Sequence, residues 1–251
     1  MHKASLSISP RQAALIAGLG YLAVFVFVTL ANSLALEKII VVGDAATTVN
    51  NIMASELLFR LGIAGWLVVI MCDALVAWAL YLFLKPVNSD LALLAAWMRL
   101  LFVAMFAAGL LNLFPVLEIL SEAEHMQAFE PDQLAAQIMP YLSAYQHGVH
   151  VSFMAFGLHI LLVGYLVFKS GDMPRILGVF LMIAALGYQI DSFGNFLSSA
   201  YAANKINFII FVAVPALVSE AWWMLWLLVK GGKGQKPLIN NKPLSLIEAY
   251  R

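Results

Sequence analysis

Six apolar runs leave this chain few folds to choose from. They cover 13–36, 57–84, 91–117, 149–168, 176–200 and 208–229. A helix rises about 1.5 Å per residue, so roughly 20 residues cross the ~30 Å hydrocarbon core of a bilayer. Each run is long enough. In hydrocarbon, every backbone N–H and C=O of a lone span must be satisfied within its own segment, which restricts such runs to helices. The predicted fold class is therefore all-α: an integral membrane bundle of six transmembrane helices. One domain is expected over 1–231, followed by a basic, Gly-rich, flexible tail over 232–251. Composition agrees, with 63% hydrophobic and only 11% charged residues, where a soluble domain carries roughly 25% charged. The formal net charge of zero gives no electrostatic footprint for nucleic acid. The single cysteine, Cys72, excludes an internal disulfide and a Cys-based zinc site.

Basic residues near helix ends set the expected orientation. With the N-terminus inside, that side holds Lys3, Arg11, Lys85, Lys169, Arg175, Lys230, Lys233, Lys236, Lys242 and Arg251. The other side holds Lys38, Arg60 and Lys205, with Arg99 inside the membrane. Both termini are thus expected in the cytoplasm. The first run is too long for a signal-peptide core of about 7–15 residues and is read as a retained helix. On the inner side, Lys85–Asp90 and Lys169–Arg175 are short turns with Pro and Ser or Gly, joining spans 2–3 and 4–5 as antiparallel hairpins. Two outer connections are longer. In the second, Pro131 is expected to open a short helix with Leu134, Ile138 and Leu142 on one face. That helix either lies amphipathically on the outer surface or caps the bundle.

Polar residues inside the spans carry the functional information, because a charge at a helix centre costs at least about 2.5–3.5 kcal/mol on insertion scales. Counting from the inner end of each helix, Asp73 lies 11 residues from Leu84, Arg99 8 from Leu91, His159 9 from Phe168 and Glu220 9 from Val229. Four helices place an ionisable group at nearly one depth, within roughly 4–5 Å. Asp73 and Arg99 are expected to pair across one hairpin. His159 and Glu220 are expected to form a second pair or to join the first. Such a layer has three readings: a structural register device, a proton-handling or cation-binding layer, or a metal site. An adjacent arginine opposes the last, so no metal is expected.

Nearer the outer face, Arg60, Asn112, His147, His150, Asp191 and Asn195 form an expected outer rim, read either as a hydrated interface or as a binding vestibule. His147 and His150 are three apart, as are neighbours on a helix face; Asp191 and Asn195 are four apart. His150 and His159, nine apart, point to opposite sides and cannot share a haem. Trp222, Trp223 and Trp226 read as lipid-facing anchors, with an aromatic pocket as the alternative. Pro215 is expected to kink the last helix one turn before Glu220. Glycines 157, 164, 178, 187 and 194 are expected to let spans 4 and 5 approach closely. No G-x-S-x-G, H-E-x-x-H, P-loop or C-x-x-C-H occurs, so no catalytic residue or cofactor can be named.

The run FGLHILLVGYLVFKSGDMPRILGVFLMIAALGYQIDSFGNFL, from Phe156 to Leu197, resembles a bacterial multi-pass family catalogued as domain of unknown function 4386. The opening RQAALIAGLGYL, the WMRLL around Arg99 and the ending PALVSEAWWMLWLLVKG are also similar, so the likeness extends from Arg11 to Gly231. The resemblance implies a bacterial plasma-membrane protein without an agreed activity, catalytic residue or cofactor. Three function classes are carried forward: proton-coupled or small-solute transport or sensing, with a small molecule or proton in the polar interior; a structural or regulatory subunit bound to a membrane-protein partner; and an enzyme acting on a lipid-soluble substrate.

Overall fold

A computed structural model describes residues 8–41, 43–126, 131–198 and 201–233, the side chains of 122–132 and 202–211 lying outside that description. The tail beyond Lys233 also falls outside it. Helix α1 spans Pro10–Val28 and starts at a capping box: Ser9 Oγ accepts from the Gln12 amide at 3.2 Å, and Gln12 Oε1 accepts from the Ser9 amide at 2.9 Å. It widens without a break into a π-helical segment, Thr29–Leu36, and closes as α2, Glu37–Ile39. Helix α3 is Ala45–Ala54 and α4 is Glu56–Leu84. The Asn88 side chain caps α5, Ser89–Leu110. Helix α6 covers Leu113–Met126, α7 Pro131–Lys169, α8 Arg175–Leu197 and α9 Tyr201–Val229.

Among the described residues, six segments are long and apolar enough to cross a membrane: Pro10–Ile39, Glu56–Leu84, Ser89–Ser121, Gln133–Lys169, Arg175–Leu197 and Val212–Val229. They close into a ring, each packing on the next in the order α1, α4, α5, α7, α8, α9 and back to α1. The tightest seam is α7–α8. There a Cβ added at Gly164 would lie 2.8 Å from the Gly178 carbonyl oxygen, so both positions must be bare for the backbones to touch. The turn joining these helices needs Gly171 at φ +77°, which a side chain would strain. Outside the ring, Leu61, Met71, Trp97, Ile183 and Leu186 stand exposed, an arrangement suited to lipid rather than water.

Several expected boundaries move. Span 3 does not run unbroken to residue 117. It breaks at Leu111–Asn112, where the Asn112 side chain donates to the Ala108 and Gly109 carbonyls and competes with the helical ladder. The helix opened by Pro131 is not separate: it continues through Pro140 into the span, making α7 39 residues long. Leu134, Ile138 and Leu142 do share a face, and that face is buried, with α7 packed on α3 and α6, rather than laid on a membrane surface. The tryptophans also differ from the anchor reading. Trp223 is wholly buried and stacks on Trp226 at 5.7 Å between ring centroids, with Phe83 against both.

Candidate functional site

Arg99 is the hub of the interior, 1% exposed on α5. Its Nε donates to Asp73 Oδ1 at 3.0 Å, and its Nη2 donates to the same oxygen. Nη1 donates to the Tyr21 hydroxyl at 2.8 Å and lies 3.0 Å from His159 Nε2. His159 Nδ1 lies 2.8 Å from the Ala95 carbonyl oxygen. An arginine only donates and a carbonyl only accepts. The ring is therefore the tautomer that carries its proton on Nδ1 and accepts at Nε2. The Tyr21 and Phe156 rings flank the guanidinium, their centroids 4.7 and 5.6 Å from Cζ. Residues of α1, α4, α5 and α7 are thus tied to one buried cation.

Glu220 departs from expectation. Its partner is not His159 but Tyr188, whose hydroxyl donates to Glu220 Oε1 at 2.8 Å. Tyr188 is held in turn by a parallel stack on Phe153 at 5.5 Å and an edge contact with Phe156 at 5.2 Å. Depth placed His159 and Glu220 on one level, but α7 and α9 are not neighbours in the ring; α8 stands between them. His159 has no carboxylate partner among the described residues.

Asp73, Arg99 and Glu220 all border one cavity of about 280 Å³ at the centre of the ring, and every span contributes to its wall. Tyr21, Val24, Phe25 and Val28 come from α1; Trp66 and Val69 join Asp73 from α4; Phe102 comes from α5, Phe153 and Phe156 from α7, Tyr188 from α8, and Ala213, Ala216 and Leu217 from α9. The wall is aromatic and aliphatic apart from the charge layer. At the basic end the α1–α9 seam is shut: Arg11 donates to the carbonyls of Leu227, Leu228 and Gly231 at 3.1, 2.6 and 2.9 Å, and Gly18 lies against Leu228. About three to four turns further along, cavity-lining Leu217 and Ala213 are exposed, Leu217 at 60%. The exposed part of the lining is thus on α9, with half-buried Val24, Phe25 and Val28 of α1 on the wall of the same cavity. The π-helical segment of α1 starts at Thr29, directly after Val28 on the cavity wall.

The expected outer rim separates into parts. His150 Nδ1 lies 3.8 Å from Asp191 Oδ2, Asn195 Nδ2 lies 3.5 Å from His150 Nε2, and the Tyr201 hydroxyl donates to Asp191 Oδ1 at 2.8 Å. His147 is exposed and lies 3.4 Å from Ser143 Oγ. Arg60 pairs with Glu56 at 2.6 Å on its own helix, and Asn112 bonds its own helix carbonyls. None of the six borders the central cavity. Among the described residues no group of three or more His, Cys, Asp or Glu could hold a metal ion.

Two residues that matter were missed. Tyr21 lies eight residues from Ala13, the same count as Arg99 from Leu91, so the depth argument would have found it had it included phenols. Arg11 reads only as part of a basic start, and nothing local announces that it caps a helix at the far end of the chain.

The ring of six spans around a buried charge layer defines a multi-pass membrane protein. The chain belongs to the family described as Domain of unknown function (DUF4386), whose model matches residues 16–231. It is similar to an uncharacterised protein of Archaeoglobus fulgidus, 29% identical over 171 residues that cover 68% of this chain and 84% of that protein. No solved structure matches it.

Proposed function

We propose that the protein binds a lipid-soluble small molecule drawn sideways from the bilayer, as a sensor or carrier in a bacterial plasma membrane with both termini in the cytoplasm. One observation carries this reading: a cavity of about 280 Å³ at membrane depth has buried charges on its wall and an exposed apolar lip at Ala213 and Leu217. A subunit whose interior serves only packing has no use for such a space. A solute moving from the outer rim would need a path past His150 and Asp191, and neither borders the cavity. Lateral entry suits a ligand already concentrated in lipid, because its tail is never exposed to water.

The test is equilibrium retention of radiolabelled dodecanol by protein in zwitterionic nanodiscs, corrected for empty nanodiscs. Saturable retention is expected, and Ala216→Phe, which fills the cavity, is expected to weaken it by about tenfold. Leu217→Trp narrows the lip from an exposed position, at little risk to folding, and is expected to slow the approach to that equilibrium, followed as a time course of retention. Retention no higher than in empty nanodiscs, or a level of retention that Ala216→Phe leaves intact together with an uptake rate that Leu217→Trp leaves intact, would overturn the proposal.

A further inference from the structure

The cavity's polar wall is not symmetric in charge. Arg99 already uses four of its five N–H bonds, two on Asp73, one on Tyr21 and one on His159. Its charge is matched by Asp73. Both Arg99–Asp73 bonds fall on Oδ1, so Oδ2 accepts no hydrogen bond among the described residues. Glu220 likewise accepts only at Oε1, from Tyr188, and no Lys or Arg among the described residues lies within ion-pair distance of it. Both acids border the cavity, and Asp73 is only 2% exposed. The site therefore offers a ligand two carboxyl oxygens without donors, a surplus acid, and a cation whose donors are nearly all in use. The remaining wall presents the rings of Phe153, Phe156 and Tyr188, whose faces attract positive charge.

We propose that the ligand is a lipid-soluble amine, its ammonium head seated against Asp73 and Glu220 and its tail leaving between α1 and α9. The assignment rests on the lateral-binding reading above and names the ligand's chemistry. An anionic amphiphile such as a fatty acid would meet Glu220 with Arg99 already engaged, and an alcohol could satisfy one carboxyl oxygen without matching the surplus charge.

The experiment compares three probes with one tail, dodecylamine, dodecanol and dodecanoate, for binding to the full chain in zwitterionic nanodiscs at neutral pH. Dodecylamine is expected to bind at least about tenfold more tightly than the other two. Glu220→Gln, checked for an unchanged size-exclusion profile, is expected to bring the amine down to the affinity of the alcohol. Equal or tighter binding of dodecanol or dodecanoate to the wild type overturns the assignment without any variant. So does an amine preference that survives in Glu220→Gln. Saturable dodecanol binding without amine preference leaves lateral binding standing and removes only the amine; no saturable binding of any probe removes both.

Discussion

Arg99 and Asp73 illustrate why a buried ion pair is costly to break and weak evidence for stability while whole. Both are almost fully buried, so removing one partner leaves an uncompensated charge in a low-dielectric interior. Asp73→Leu and Arg99→Leu are each expected to destabilise the protein by about 3–5 kcal/mol, whereas making both changes together costs much less than the two single changes combined. Thermal unfolding of the four proteins in one detergent measures this. Additive losses would show that the pair is not acting as a unit. Asp44, on the loop before α3, supplies a pH-dependent case outside the spans. The Thr47 amide and hydroxyl both donate to its carboxylate, at 2.9 and 2.7 Å, and hold its pKa below the usual 3.8. A lowered folded-state pKa means that the cap is fully formed above the ordinary value and is lost as pH falls through the folded one. Hydrogen exchange at Thr47, corrected for intrinsic rate, is expected to rise only below about pH 3.8. Asp44→Asn is expected to flatten that response.

Helix lengths were legible where the bilayer dictates them and illegible where tertiary packing does. Spans 2 and 5 end close to their apolar runs, because Ser, Pro and Gly turns stop them. Helix α7 begins 18 residues before its run, because the short helix expected from Pro131, with Leu134, Ile138 and Leu142 on one face, continues through Pro140 into the span. Depth could be counted along each helix, which brought Asp73, Arg99, His159 and Glu220 to one level. Rotation about each axis cannot be counted, so the expectation left open whether His159 and Glu220 pair with each other or join Asp73 and Arg99; His159 lies against Arg99, and Glu220 meets Tyr188 of α8. The bare contact of α7 with α8 makes its own prediction. Gly164→Leu must push Gly178 away and is expected to cost about 1–3 kcal/mol by overpacking, read as a lower unfolding temperature with the helix content unchanged. Arg11→Ala leaves three carbonyls of the α9 terminus without their donor. It is expected to cost about 1.5–3 kcal/mol and to raise hydrogen exchange selectively near Leu227 and Leu228.

At the scale of the molecule, one seam of the ring differs from the other five. The α1–α9 contact is held by Arg11 at the basic end, and the proposed lateral mouth lies at the exposed Leu217 further along it. The sequence announced six spans and a buried charged layer. It did not announce that the layer borders a cavity, since a cavity is what remains after all six helices have chosen their rotations. Lateral access is the central claim, and site-resolved photolabelling tests it most directly. A dodecanol derivative with a photoreactive tail, loaded into nanodiscs and mapped by mass spectrometry, is predicted to label Phe25, Phe153, Ala216 and Leu217 saturably, above the level at Leu61, Trp97 and Ile183 on the outer surface. Labelling confined to the outer surface, or cavity labelling that an excess of unlabelled dodecanol does not compete away, would contradict it.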